Sequence, residues 1–353
     1  MKAPDLTGYT PTHDLSRAAT IPASWCVDPA FLELERERVF GRTWQPAGYT
    51  KDVAQPGDYF ACDLAGEPVV VARDREGHLH AFSNVCRHRA SLIAEGKGHG
   101  PSLRCPYHNW TYSLSGNLLS QPEFEGVNDW NRSEICLPRY GVAVWGPFVF
   151  VNQDPHAPSF DEVLGNIPSE IAALGCDPGQ LRFAERREYV IACNWKVYID
   201  NYLEGYHLPA AHPGLNRALD YSAYRVDTHR YYSSQYAPLK QGGGGRALYY
   251  WIFPNFMLNI YPDNISSNII LPLGHDKTLT IFEWFAYGDT PAISPKTIEF
   301  SNEIQQEDIK ICESVQRGLQ SRSYTQGRFS VKRENGVHHF HLLLHEYLSG
   351  RSS

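Results

Sequence analysis

Within "CRHRASLIAEGKGHGPSLRCPYH" (86–108), two thiols and two of the three imidazoles form matched couples: Cys86 and His88 as C-x-H, Cys105 and His108 as C-x-x-H. Structural zinc sites favour cysteine paired with cysteine and histidine with histidine, as in C-x₂₋₄-C … H-x₃₋₅-H. Here each short loop supplies one of each. That division suits two metals: one iron takes both sulfurs and the other both ring nitrogens. Such a set holds a [2Fe–2S] cluster in which two histidines replace two cysteines and raise its potential. Zinc is the competing reading. Four ordinary core residues fail as an explanation, because all four candidate ligands fall within 23 residues.

A Rieske-type cluster moves electrons singly, so a second site must receive them. In "NWKVYIDNYLEGYHLPAAHPG" (194–214), His207 and His212 stand five residues apart. On one regular helix that step rotates roughly 140°, which would point the rings apart. Pro209 and Pro213 disfavour continued helix and predict a break between them. Upstream, Asp200, Glu204 and His207 follow i, i+4, i+7 spacing, an acidic stripe beside a histidine. Two histidines bind iron well once a carboxylate completes a facial triad with open positions. The segment 301–324 reads as a helix with an apolar stripe of Ile304, Ile311, Cys312, Val315 and Leu319. Asp308 falls on that stripe, where a lone carboxylate is costly unless paired or bound to metal. It is the expected third ligand, with Glu307 and Glu313 expected to face solvent.

Elements must position these groups. Residues 28–44 predict an amphipathic helix with Phe31, Leu32, Val39 and Phe40 on its apolar face, the end of an N-terminal segment (1–44) that packs with the last domain. Residues 45–155 read as a small all-β domain of short strands ("EPVVVARD", "HLHAFSNV", "AVWGPFVFVNQ") carrying both Cys/His loops. Residues 156–353 mix helices and strands: "FDEVLGNIPSEIAALG" reads as helix, "ALYYWIFPNFMLNIYP" and "LTIFEWFAYG" as strands, and 297–320 as a long helix. "QGGGGR" (241–246) lacks phosphate-cradle spacing and reads as a mobile hairpin or lid. The chain is therefore α+β. Its 353 residues exceed what one core of roughly 250–300 residues supports. A composition of 42% hydrophobic and 20% charged residues is globular, and a net charge of −7 argues against nucleic acid as a partner. Eight scattered cysteines, no apolar leader and no 18-residue apolar run predict a reduced, cytoplasmic protein with no membrane partner.

From about residue 30 to its end, the chain resembles the α-subunit of a Rieske non-heme iron oxygenase. The cluster motif matches Cys86, His88, Cys105 and His108, the catalytic stretch matches "NWK…DNYLEGYH…H", and the acid on the long helix matches Asp308. "NWK", "DNYLEGYH", "EDIKICESVQRGL" and "GVHHFH" are similar to the branch acting on choline, glycine betaine and carnitine. The resemblance implies a helix-grip (START-like) catalytic domain and mononuclear Fe(II) on His207, His212 and Asp308. It also implies O₂ as co-substrate and NAD(P)H electrons arriving through a separate flavin and iron–sulfur reductase. It further implies a head-to-tail homotrimer in which Glu204 links the metal sites, with Asp200 a candidate to hydrogen-bond a triad histidine. Three positions depart from the family pattern: Arg87 for proline, and Ala90 and Asn109 for glycine.

Aromatic residues crowd "RYYSSQYAP" (230–238) and "LYYWIFPNF" (248–256), where Tyr and Trp could cage a trimethylammonium head by cation–π attraction or simply pack a core. Oxygenation of a small quaternary ammonium compound, by hydroxylation or N-dealkylation, is the leading expectation. An aromatic acid is the alternative small-molecule substrate and would need a pocket arginine such as Arg225 or Arg246. A Rieske electron carrier without oxygenase activity is a further alternative. His338, His339 and His341 of "VHHFH" read as packing or interface residues.

Overall fold

The computed structural model describes residues 4–240, 245–289 and 292–350. The chain divides into two compact units, Phe40–Pro158 and Met1–Val39 with Ser159–Ser353. Most of the glycine-rich run expected to form a mobile hairpin lies outside the described residues.

The Phe40–Pro158 unit is all-β apart from short 3₁₀ turns. Its strands are β1 (Gln45–Tyr49), β2 (Asp58–Leu64), β3 (Glu67–Arg73), β4 (Leu79–Ser83), β5 (Lys97–His99), β6 (Leu103–Arg104), β7 (Thr111–Tyr112), β8 (Leu118–Ser120), β9 (Arg139–Trp145) and β10 (Phe148–Asn152). They form an antiparallel sheet ordered β1-β10-β9-β4-β3-β2-β5 and a small sheet ordered β6-β7-β8. Strand period 2 explains the continuous "VVVA" of β3. Val69 and Val71 pack into one core, while Val70 and Ala72 pack into another that also holds Cys86, Cys105, Trp110 and Tyr112. Both faces of β3 are therefore buried, and one of them supports the Cys/His loops.

In the second unit, α1 (Ser24–Val27) and α2 (Pro29–Arg38) come first. Asp28 caps α2 by accepting the Ala30 N–H at 2.9 Å. The helix expected to reach residue 44 stops at Arg38, and Phe40–Arg42 forms a 3₁₀ turn of the other unit. Next come α3 (Phe160–Leu164), α4 (Ile167–Ala172), β11 (Arg182–Ile191), α5 (Trp195–Tyr202), α6 (Leu208–Ala211) and α7 (Pro213–Ala218). The single helix expected over 160–175 is split at Gly165, whose φ of 51° interrupts α-helical geometry. Strands β12 (Arg225–Thr228), β13 (Tyr232–Pro238), β14 (Arg246–Ile252), β15 (Phe256–Ile260), β16 (Asn264–Gly274) and β17 (Lys277–Ala286) run as an antiparallel meander, with β11 added beside β17. Helices α8 (Pro295–Leu319) and α9 (Asn335–Leu348) complete the unit. Helix α8 is held to the sheet by Tyr189 Oη donating to Asn302 Oδ1 (2.9 Å) and Gln305 Nε2 donating to Thr280 Oγ1 (3.2 Å).

A fully buried ion pair ties the N-terminal segment to the helix ahead of the histidines. Lys196 Nζ lies 2.5 Å from Glu35 Oε1, and Trp195 Nε1 donates to Glu35 Oε2 at 2.7 Å. Both charged side chains are wholly enclosed. This gives the "NWK" triplet a structural purpose.

Candidate active site

The two Cys/His loops share one backbone design. Cys86 N–H donates to Ser91 O (2.9 Å) and Ala90 N–H returns to Cys86 O (3.1 Å). Cys105 N–H donates to Trp110 O (2.9 Å) and Asn109 N–H returns to Cys105 O (3.1 Å). Both returning residues are left-handed, Ala90 at φ 59° and Asn109 at φ 60°. This is the physical reason that glycine suits these positions. Tyr112 Oη accepts the Arg87 N–H (3.0 Å), which leaves its hydroxyl proton for Cys86 Sγ at 3.3 Å. The His88 and His108 rings stand 4.6 Å apart, and His88 stacks on Trp110. The Nδ1 atoms of both histidines are buried and without a partner among the described residues. Two orphaned imidazole nitrogens beside two buried thiols fit a [2Fe–2S] group, which would satisfy all four atoms.

In the second unit, α5 ends at Tyr202, so Glu204 does not continue its face. The expected acidic stripe of Asp200, Glu204 and His207 is therefore broken. His207 precedes α6, and His212 separates α6 from α7. Pro209 does not break the chain, because it occupies the first turn of α6, where a missing N–H costs little. The break falls at His212, with Pro213 opening α7. His207 Nε2 and His212 Nε2 are 3.1 Å apart; Asp308 Oδ1 from α8 lies 3.0 Å from the second and 3.8 Å from the first.

Each histidine is held at its other nitrogen by a glutamate. Glu204 Oε1 is 2.5 Å from His207 Nδ1, and Glu307 Oε2 is 2.6 Å from His212 Nδ1. Glu204 also accepts the backbone N–H groups of Tyr206 and His207. With both Nδ1–H groups given to carboxylates, two Nε2 lone pairs and a carboxylate oxygen converge on one point. That donor set fits a cation and repels itself without one. Burial lowers the His212 pKa, but Asp308 and Glu307 raise it more, and the net shift is upward. Asn201 Nδ2 donates to Asp308 Oδ1 at 2.7 Å and fixes the carboxylate.

Two sequence expectations need correction. Glu307 does not simply face solvent. The buried line of α8 is Ile298, Gln305, Cys312 and Gln316, whereas Val315 is exposed, so the true register turns Glu307 toward His212. Glu313 likewise accepts the Ala192 N–H. Asp200 touches neither triad histidine; its carboxylate lies 3.0 and 3.2 Å from His341 Nε2. The Ile21 N–H donates to His341 Nδ1 (3.2 Å), so this ring is a neutral tautomer donating to Asp200. His338 Nε2 meets Thr12 O at 2.7 Å. Adjacent acids at 307 and 308 were the overlooked signal: a two-histidine iron site has work for both.

A cavity of about 120 Å³ opens on Asp308, His207 and His212. Tyr198, Tyr202, Tyr224, Tyr249, Tyr261 and Phe282 supply its aromatic walls, and no lysine or arginine lines it among the described residues. Of the two aromatic stretches expected to form a cage, only Tyr249 contributes a ring; Tyr250 instead donates to Glu170. Arg225 lies over the Tyr236 ring, exposed beside Asp227, and Arg246 is exposed at the start of β14. Neither lines the cavity. Asn201, Glu204 and His207 form a partition, since they also line a second cavity of about 250 Å³ with Asp200, Glu334 and His341.

Residues 43–131 match the family described as Rieske [2Fe-2S] domain, and residues 178–350 match ring hydroxylating alpha subunit (catalytic domain). The chain is 39% identical to the chloroplastic choline monooxygenase of Arabidopsis thaliana, over 97% of its own length and 86% of that protein. It belongs to the Rieske oxygenase α-subunits. This Rieske oxygenase is also 32% identical to the carnitine monooxygenase oxygenase subunit of Escherichia coli (strain K12), over 93% of each chain. The crystal structure of the quaternary ammonium Rieske monooxygenase CntA with L-carnitine matches with a TM-score of 0.81 at 29% identity, covering 95% of this chain and 97% of that one. The chain is thus an oxidoreductase that uses O₂, with a [2Fe–2S] domain and a catalytic non-heme iron domain. No described helix is long and apolar enough to cross a membrane.

Proposed function

We propose that this Rieske oxygenase is the oxygenase component of a monooxygenase acting on a small quaternary ammonium compound. The carrying observation is the cavity, where five tyrosines and a phenylalanine surround carboxylates with no cationic side chain among the described residues. Aromatic faces attract a trimethylammonium head, by roughly 0.5–2 kcal/mol for each well-placed ring. An aromatic acid loses support, because Arg225 and Arg246 stand outside the cavity. The electron-carrier alternative is disfavoured by the completed triad and its supporting glutamates.

In this reading Cys86, His88, Cys105 and His108 would hold the [2Fe–2S] cluster, and His207, His212 and Asp308 would hold Fe(II). When bound, the cluster supplies electrons one at a time and the mononuclear iron supplies dioxygen activation. Glu204 and Glu307 keep the Nδ1 protons and aim the Nε2 lone pairs inward. Asn201 orients Asp308, and the tyrosines exclude water from the substrate's head. Glu204 lines both cavities and so stands where a cluster from a neighbouring subunit could be linked to this site, in a head-to-tail homotrimer. CntA is described as showing inter-subunit electron transfer. Electrons would come from NAD(P)H through a flavin and iron–sulfur reductase. A cytoplasmic setting agrees with eight free cysteines, although plant relatives are named chloroplastic.

The test is reconstitution with a flavin and iron–sulfur reductase, following product by mass spectrometry. Quaternary ammonium compounds should be oxygenated with NADH consumption, and benzoate-type acids should not. Turnover of the acids alone would overturn the assignment.

A further inference from the structure

The polar lining of the 120 Å³ cavity holds more than a preference for cations. Tyr224 donates to Gln235, and Gln235 Nε2 donates to Tyr202 O at 2.8 Å. Asn259 Nδ2 is shared between Ser266 Oγ and Asn268 Oδ1, each at 3.0 Å. The Tyr249 and Tyr261 hydroxyls meet at 3.0 Å, a contact that uses one of their two protons. Among the described lining residues, the Asn268 amide N–H₂, the Ser266 and Ser301 hydroxyl protons and one tyrosine proton remain uncommitted. Asn268 and Ser266 are only 3% and 4% exposed, yet both line the cavity. Nearly enclosed donors that face a cavity favour a ligand that carries an oxygen acceptor.

Those donors could meet a hydroxyl or a carboxylate. Charge decides between them. Asp308 and Glu204 line the cavity, and Glu307 stands behind His212. The two lining carboxylates would be balanced by one divalent metal, and no lysine or arginine in the lining would pair with a further carboxylate. A carboxylate on the ligand would enter this confined site without a cationic partner, and buried charges persist only when paired. We infer that the cavity selects a monocation with a neutral, hydroxyl-bearing tail and discriminates against zwitterions carrying a carboxylate. Asn268 and Ser266 would be the residues that read the tail. This rests on the quaternary ammonium reading and narrows it to choline-like ligands.

The experiment is isothermal titration of the full chain, metal-depleted and anaerobically loaded with Fe(II), with choline, tetramethylammonium, glycine betaine and L-carnitine. Choline should bind at least tenfold more tightly than either zwitterion in both forms. Asn268→Ala should bring choline down to tetramethylammonium affinity, and Asn268→Arg should favour the zwitterions. Should a variant fail to fold, the wild-type ratios decide alone. Zwitterions binding within threefold of choline would overturn the inference and leave the quaternary ammonium assignment standing. Choline no tighter than tetramethylammonium would overturn the hydroxyl reading. Failure of all four to bind would instead remove the assignment beneath it.

Discussion

Glu307 turns its carboxylate to the Nδ1 atom of His212, and Glu204 does the same for His207. Removing such a partner typically costs 10–100-fold in metal affinity. Glu307→Gln should therefore lose iron affinity by about 10–100-fold in chelator competition, while Glu313→Gln, whose side chain meets only the Ala192 N–H, should match wild type. Equal losses would mean that the effect is general to α8. Glu204→Gln should lower iron affinity by a similar factor; with iron restored to full occupancy it should still bind substrate, yet slow cluster reoxidation in single turnover by orders of magnitude. Unchanged reoxidation would send electrons by another route. At this scale the sequence shows Cys and His spacing plainly, because ligand chemistry constrains residue type. It conceals Glu307, because the buried line of α8 contains Gln305 and Gln316, polar residues that an apolar stripe does not mark. Asp200 meets His341 rather than a triad histidine, because α5 ends at Tyr202 and the chain turns before His207, a change of direction that side-chain spacing alone does not convey.

Among the elements, α2 and α5 are joined by the enclosed Glu35–Lys196 pair. Burial raises the Glu35 pKa; the ammonium and the Trp195 N–H oppose that rise without cancelling it. Leaving one partner uncompensated is the costly change. Glu35→Leu should lower the unfolding free energy by about 3–5 kcal/mol, and Glu35→Leu with Lys196→Met should recover most of it. Urea denaturation of the three proteins checks this; a double variant as unstable as the single would assign the loss to packing. Valine- and aromatic-rich runs between turn residues made β3, β4 and β10 legible, and Asp28 with Pro29 marked the start of α2. The strand pair around Phe253–Pro254 read as one run, because its turn is flanked by aromatics rather than polar residues; the register shows the hairpin, Ile252 opposite Phe256.

For the molecule as a whole, one histidine outside the metal-site cavity contributes to acid sensitivity. Burial and the nearby Arg230 lower the His339 pKa to about 4, and its Nδ1 is enclosed without a partner among the described residues. Between pH 6.5 and about 4 the unfolded chain binds the proton that the folded chain refuses. This contribution is complete above pH 6.5 and declines as the pH falls toward 4, by about 3 kcal/mol in all. His339→Phe should flatten the pH dependence of urea stability in that window, and an unchanged slope would count against the assignment. The division near Phe40 and Pro158 lies close to the boundaries that the change to short strands suggests at 45 and 155, whereas the enclosure of His339 Nδ1 arises from long-range packing that no local pattern marks. The catalytic unit also separates its labour by element type. Helices α5 and α8 and the turns around α6 carry the metal-facing groups, whereas β14 to β17 carry Tyr249, Asn259, Ser266, Asn268 and Phe282. Substrate preference can therefore drift through strand substitutions while the redox machinery stays intact. A combinatorial library restricted to those five positions is a direct route to new substrates.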